Sequence, residues 1–161
     1  MKLLASIWKL SRYITKHEVL RIAYSRQDGT KREHAVKPVA IMFSEYYFYL
    51  VAYMADGCRG FPTIFRIDRI SSFQGTEVRF RIPYKDKFND GEFRKRVQFM
   101  YSGELRRVKF EYCGPSIEAV LDRMPTAEVL AEKGGVYTLA VEVFGKGIKM
   151  WLKSQGEYVK K

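Results

Sequence analysis

Apolar residues recur every three or four positions at the start of the chain: Leu3, Leu4, Ile7, Trp8, Leu10 and Ile14, with lysines and Arg12 between them. That period predicts an amphipathic helix reaching to about residue 16. The period then shortens to two. "EVLRIAYS" puts Leu20, Ile22 and Tyr24 on one face of a strand, and "RQDGTK" supplies an Asp28-Gly29 hairpin turn. "EHAVKPVAIMF" reads as the returning strand, with Pro38 placing it at an edge or a bulge. In "YYFYLVAYM", Phe48, Leu50 and Ala52 share one face and Tyr47, Tyr49, Val51 and Tyr53 the other. "TIFRIDRI" is a strand running into a short turn. "TEVRFRI" is a further strand, with Val78, Phe80 and Ile82 inward and Arg79 and Arg81 outward.

Five strands with short connections behind one helix fit a small, strongly bent barrel of the Sm or SH3 kind, over residues 1–83. Residues 84–103 read as a polar connector and a linker helix, with Phe93, Val97 and Met100 on one stripe. From 104 to 161 the order is strand, helix, two strands across Gly134-Gly135, helix, and a last short strand. This βαββαβ order is the ferredoxin-like pattern. Its first helix turns Ile117, Val120, Leu121 and Met124 inward, and Gly156 closes its second. The predicted class is α+β.

Charge sharpens this picture. The chain carries 29 Lys and Arg against 18 Asp and Glu, a net charge of +11, which favours anionic partners. Residues 1–84 hold 14 basic and 7 acidic residues, and residues 85–161 hold 15 and 11, so an anion site is expected in the front half. Two cysteines, Cys58 and Cys113, make no disulfide framework, and no signal peptide is visible, so the expected compartment is the cytoplasm. No zinc spacing, acidic metal cluster, nucleophile elbow or phosphate-loop spacing is present. Neither a cofactor nor a metal nor an enzymatic activity is predicted.

The candidate chemistry lies where the core strands end in charge. Arg66 and Asp68 alternate away from Phe65 and Ile67, as Tyr49 and Tyr53 alternate away from Leu50 and Ala52. On neighbouring strands these side chains form one patch, in which tyrosine faces stack bases, arginine forks grip phosphate, and Asp68 braces an arginine. A plain solvated strand face with a surface ion pair is the alternative. Arg69 would point into the core if the strand continued, so the strand must turn at Asp68-Arg69 and carry Arg69 to the rim.

"FYLVAY" followed by "FRIDRI", with Pro38 before them and "MPTAEV" and "MWLKSQG" after, resembles the WYL-domain family and the C-terminal extension that accompanies it in bacterial transcription regulators. Phe48-Tyr49-Leu50 stands where that family has Trp-Tyr-Leu. The resemblance implies an Sm-like barrel that senses an anionic effector, nucleic acid or nucleotide, and a homodimer built partly through the extension. Two positions depart from the family pattern: His34 stands in a slot where family members carry Arg, with Arg32 two positions earlier, and Thr63 stands in another, with Arg59 earlier in a longer loop, so part of the ligand site is expected to be rebuilt, with His34 and Arg32 as candidate contacts. Full-length regulators of this kind read DNA through a winged helix-turn-helix. The residues before the first strand are too few for one, so the chain is expected to be either part of a longer regulator or a freestanding sensor. The competing functions are a freestanding single-stranded nucleic-acid binder and a structural dimerisation domain.

Overall fold

The computed structural model describes Leu3–Lys160 and divides into two compact units, Met1–Phe88 and Asn89–Lys161. The first opens with helix α1 (Leu3–Lys16), whose Leu10 is fully buried while Ile7, Tyr13 and Ile14 pack at the core margin. His17 takes a left-handed conformation (φ 52°) and turns the chain directly into β1 (Glu18–Ser25). The Asp28 carboxylate accepts hydrogen bonds from the Thr30 amide (2.9 Å) and hydroxyl (2.6 Å), fixing the turn into β2 (Lys31–Ser44). Then come β3 (Tyr47–Met54), β4 (Thr63–Arg66) and β5 (Ile70–Arg79).

These strands form one antiparallel sheet in the order β4-β3-β2-β1-β5. β2 therefore lies inside the sheet, and its proline sits at a bulge rather than an edge: the register with β3 shifts between Pro38 and Ala40. The bulge falls where pairing with β1 has ended at Val36, so the missing amide of Pro38 breaks no ladder on that side.

β4 and β5 lie at opposite edges of the sheet, yet only a 3₁₀ turn, Ile67–Arg69, joins them. A flat five-stranded sheet would separate its edges by about 19 Å, and three 3₁₀ residues rise only about 6 Å. The sheet must curl. Leu20, Ile22, Val36, Leu50, Ala52, Phe65, Ile67 and Ile70 fill its concave side beneath Leu10. The expected barrel is nevertheless open, since no ladder joins β4 to β5 among the described residues. Instead, the Arg66 amide donates to the Tyr24 hydroxyl (3.2 Å), and the Tyr24 ring meets Phe65 edge-on at 5.1 Å. A side chain from β1 thus occupies the free edge of β4.

One face assignment differs from the sequence pattern. Val78 is 58% exposed rather than inward. Between Gly75 and Arg79 the β5 chain runs opposite only Leu20 to Glu18, and Glu77 adopts a φ of 63°. Thr76 stitches this irregularity, donating to the Val19 carbonyl (2.7 Å) and accepting from the Val78 amide (3.2 Å). Alternation is lost there, and Phe80 returns to the core.

The second unit begins with α2 (Asp90–Arg96), capped by Asn89, whose side chain accepts from the Glu92 amide (2.9 Å). Its Phe93 ring lies 5.2 Å from Phe144, so the expected linker helix is packed within this unit. It also stops earlier than the stripe Phe93, Val97, Met100 suggested. Val97 and Gln98 form bridges to Phe144 and Tyr101, and Phe99 and Met100 turn left-handed (φ 54° and 56°). Strand pairing outweighs local helical periodicity at that point. Then follow β6 (Leu105–Tyr112), α3 (Ile117–Arg123), β7 (Glu128–Lys133), β8 (Val136–Phe144), α4 (Gly147–Ser154) and β9 (Val159–Lys160). The sheet is antiparallel in the order β7-β8-β6-β9, and Val120, Met124, Ile148, Trp151 and Leu152 cover its Phe110, Leu139 and Val141. Gly134 and Gly135 both have positive φ (59° and 80°), as a two-residue hairpin turn requires. All six residues of β7 are exposed. No helix among the described residues is long and apolar enough to cross a membrane.

Tyr24→Phe removes the acceptor for the Arg66 amide while keeping the ring against Phe65. Urea unfolding is expected to show a loss of about 1 kcal/mol, and an unchanged midpoint would mean the β4 edge needs no partner there.

Candidate functional site

Antiparallel pairing of β3 with β4 sets Tyr49 directly opposite Arg66. The Arg66 guanidinium is held on two sides. Its Nε and one terminal nitrogen donate to the two Asp68 oxygens (3.0 and 2.6 Å), and its carbon lies 3.6 Å from the centre of the Tyr47 ring. The hydrogen bonds from Arg66 hold the Asp68 carboxyl below the usual carboxylate range. Burial pushes the Tyr49 phenol upward, so it stays a hydroxyl donor at neutral pH. The pinned fork keeps three further N–H donors for another acceptor. The 3₁₀ turn begins at Ile67, which stays in the core, and it leaves Arg69 half-buried with its charge acting on Asp68. Tyr47 is the member of this group that the sequence reading missed. Its alternation with Tyr49 was the available signal.

Tyr53 does not join that patch. Four residues along β3 it stands about 13 Å from Tyr49, beyond the end of β4, whose last pair is Ala52 with Thr63. Tyr53 pairs with Lys37 and lines a cavity of about 380 Å³ together with Arg59, Arg81 and Asp86. Burial first, and then the Asp86 charge, raise its pKa, so it too remains a neutral donor. Arg59 is held by a hydrogen bond to the Thr63 hydroxyl (3.2 Å). Lys37, Arg59 and Arg81 come from β2, the β3–β4 loop and the segment after β5. Sequence distance hid their convergence, and counting back along the hairpin would set Pro38 opposite Tyr53; the bulge between Pro38 and Ala40 moves Lys37 there instead.

His34 and Arg32 lie on β2, opposite Ile22 and Tyr24 of β1. The His34 ring tilts over Phe65 at 5.6 Å, on the same ring that Tyr24 meets. Burial, followed by the charges of Arg26, Arg32 and Arg59, holds its pKa below the ordinary imidazole value. The candidate residues thus fall into three groups: Tyr49 with Arg66 and Asp68, Tyr53 in the cationic cavity, and His34 with Arg32 toward the start of β2. Among the described residues, no group of three or more His, Cys, Asp or Glu could hold a metal ion.

The lowered pKa of His34 has a definite sign. As pH falls below about 6.5, the unfolded imidazole takes up its proton before the folded one. Stability is therefore full above that pH and declines as pH drops toward the folded pKa. Urea midpoints measured from pH 7.5 to 5 are expected to fall less steeply in His34→Gln than in the parent, and parallel curves would remove His34 from the acid response.

Residues 7–74 match the family model described as the WYL domain, a span that includes every candidate residue named above except Arg81 and Asp86. No curated protein matches the chain. Among solved structures, it is similar to a CRISPR Cas-related protein, with a TM-score of 0.59 and 14% identity over 98% of this chain and 46% of that one. It is also similar to proteasome accessory factor B/C (PafBC) of Arthrobacter aurescens, with a TM-score of 0.48 and 18% identity over 96% of this chain and 24% of that one. The chain thus spans less than half the length of either. The first likeness, at 14% identity, concerns fold alone. The pinned arginine and the tyrosines of β3 therefore lie within the span, residues 7–74, that matches the WYL-domain model.

Proposed function

We propose that the first unit is the effector-sensing module of a bacterial transcription regulator, and that its effector is a single-stranded nucleic acid or nucleotide. The observation that carries this reading is the convergence of Lys37, Arg59 and Arg81 with the Tyr53 hydroxyl around one cavity of about 380 Å³. Asp86 is the one carboxylate in its lining. That volume lies in the range of small-ligand pockets, and three cations beside a phenol donor suit a phosphate. The second group, Tyr49 and the pinned Arg66, stands one strand length away. The spread favours an oligonucleotide, with one phosphate in the cavity and a neighbouring nucleotide stacked on Tyr49. The curled sheet is the Sm-like barrel of this reading, with its mouth left open.

The second unit is read as a ferredoxin-like extension through which two copies associate. The order β7-β8-β6-β9, with helices after β6 and β8, supports that reading. β7 exposes Val129 and Leu130 beside an unpaired strand edge, which offers a surface for a second copy. Sedimentation at micromolar concentration should give a dimer, and a monomer would count against this half of the reading.

The ligand assignment is tested by titrating a short oligonucleotide and a mononucleotide at several salt concentrations. Arg81→Gln should weaken both, while Arg66→Ala should weaken the oligonucleotide alone. Each lost phosphate contact should lower the log–log salt slope by about 0.7. Tyr49→Ala should cost roughly 1–3 kcal/mol with little change in slope. Parent-like binding by all three variants would place the ligand elsewhere.

A further inference from the structure

Helix α1 carries Lys9, Arg12 and Lys16 and no acidic residue. Spacings of three and four residues put these cations on one stripe about 10 Å long. Among the described residues, none of the ion pairs involves them. Like charges stacked along one helix face repel, so this stripe weakens α1 when nothing neutralises it. The stripe forms one wall of a groove of about 500 Å³, and Ser71 and Ser72 of β5 form the other. Tyr13 and Phe73, in edge-on contact at 6.3 Å, make its floor.

Trp8, on α1 one helical turn before Arg12, leaves 71% of its surface exposed. Among the described residues, Trp8 joins neither the core of the first unit nor the partly buried side chains packed against it. An exposed aromatic plane next to unneutralised cations and hydroxyls is the combination that holds single-stranded nucleic acid, with phosphates in the groove and bases on the ring. The groove also adjoins the candidate site. Ser71 lies two residues after Arg69, and α1 packs against the Ile67–Arg69 turn.

From this juxtaposition we infer that the groove between α1 and β5 is a second contact surface for single-stranded nucleic acid, with Lys9, Arg12 and Lys16 on its phosphates and Trp8 stacked on a base. It extends the footprint of the oligonucleotide proposed for the β3–β4 face and rests on that reading for its ligand class. A strand leaving Arg66 passes Arg69 and enters the groove at Ser71.

The test titrates a twelve-residue oligothymidylate into the full chain and reads labelled-oligonucleotide anisotropy and tryptophan emission together. Trp151, buried in the second unit, supplies a constant background. Tryptophan emission should be quenched in step with the anisotropy change, and Trp8→Phe should abolish the quench. The triple variant Lys9→Gln, Arg12→Gln, Lys16→Gln should lower the salt slope by about 2. Unaltered circular dichroism would confirm that the variant is folded. Binding with no Trp8 quench and a parental slope in the triple variant overturns the groove and leaves the β3–β4 reading standing. A retained quench with Arg66→Ala, Tyr49→Ala and Arg81→Gln all silent upholds the groove and removes that reading. An emission shift with phosphatidylserine vesicles but none with oligonucleotide overturns the inference in favour of a membrane surface.

Discussion

The first unit depends on the shortness of the Ile67–Arg69 turn. Three residues join strands that the sheet order places at opposite edges, so the sheet has to curl before the chain can pass from β4 to β5. The curl in turn wraps the sheet around a core that a flat sheet would need a second layer to cover. Leu50 and Phe65, paired across β3 and β4, face Ile22 and Val36 across the same interior. The turn also sets the chemistry. It withdraws Arg69 from the core and brings Asp68 round to meet Arg66, so one three-residue element both shapes the sheet and pins the guanidinium.

Electrostatics divide this surface unevenly. Arg66 is half-neutralised by Asp68, and its value lies in fixed orientation more than in free charge. Lys37, Arg59 and Arg81 face a single carboxylate across their cavity, and there the charge is in excess. An arginine already held by a carboxylate and a ring loses little conformational freedom on meeting a ligand. A cluster of weakly paired cations supplies long-range attraction. On the proposed nucleic-acid reading, the two groups would serve successive stages of one encounter: capture at the cavity, then orientation at Arg66.

Much of this architecture could be read from period alone. α1, β1 and β3 follow clean alternation or helical spacing, and the argument that Arg69 cannot be buried located the turn to within a residue. Two of the misplaced residues share one cause. Val78 and Met100 lie where non-glycine residues adopt positive φ, at Glu77 and at Phe99 and Met100, and no local pattern announces that. Tyr49 and Arg66 were legible as partners because alternation and strand adjacency suffice to pair them. The cavity around Tyr53 was not, since it needs the β2–β3 register, the course of the 55–62 loop and the return of Arg81. The Tyr24 hydroxyl was equally hidden. Its partner is a backbone amide 42 positions away.

β7 has a consequence of a different kind. None of its six side chains is buried, and it is held by its ladder to β8 and an exposed ion pair from Arg107 to Glu128 (3.1 Å). Opening it sacrifices backbone hydrogen bonds and only the partial burial of Val129 and Leu130, so its amides should be weakly protected in hydrogen exchange. Each such opening bares the edge of β8, whose Leu139 and Val141 lie in the core. A strand from another molecule can pair there during that interval. The strand proposed as the associating surface is therefore also the one whose fraying would expose the chain to exchange with its neighbours and to aggregation.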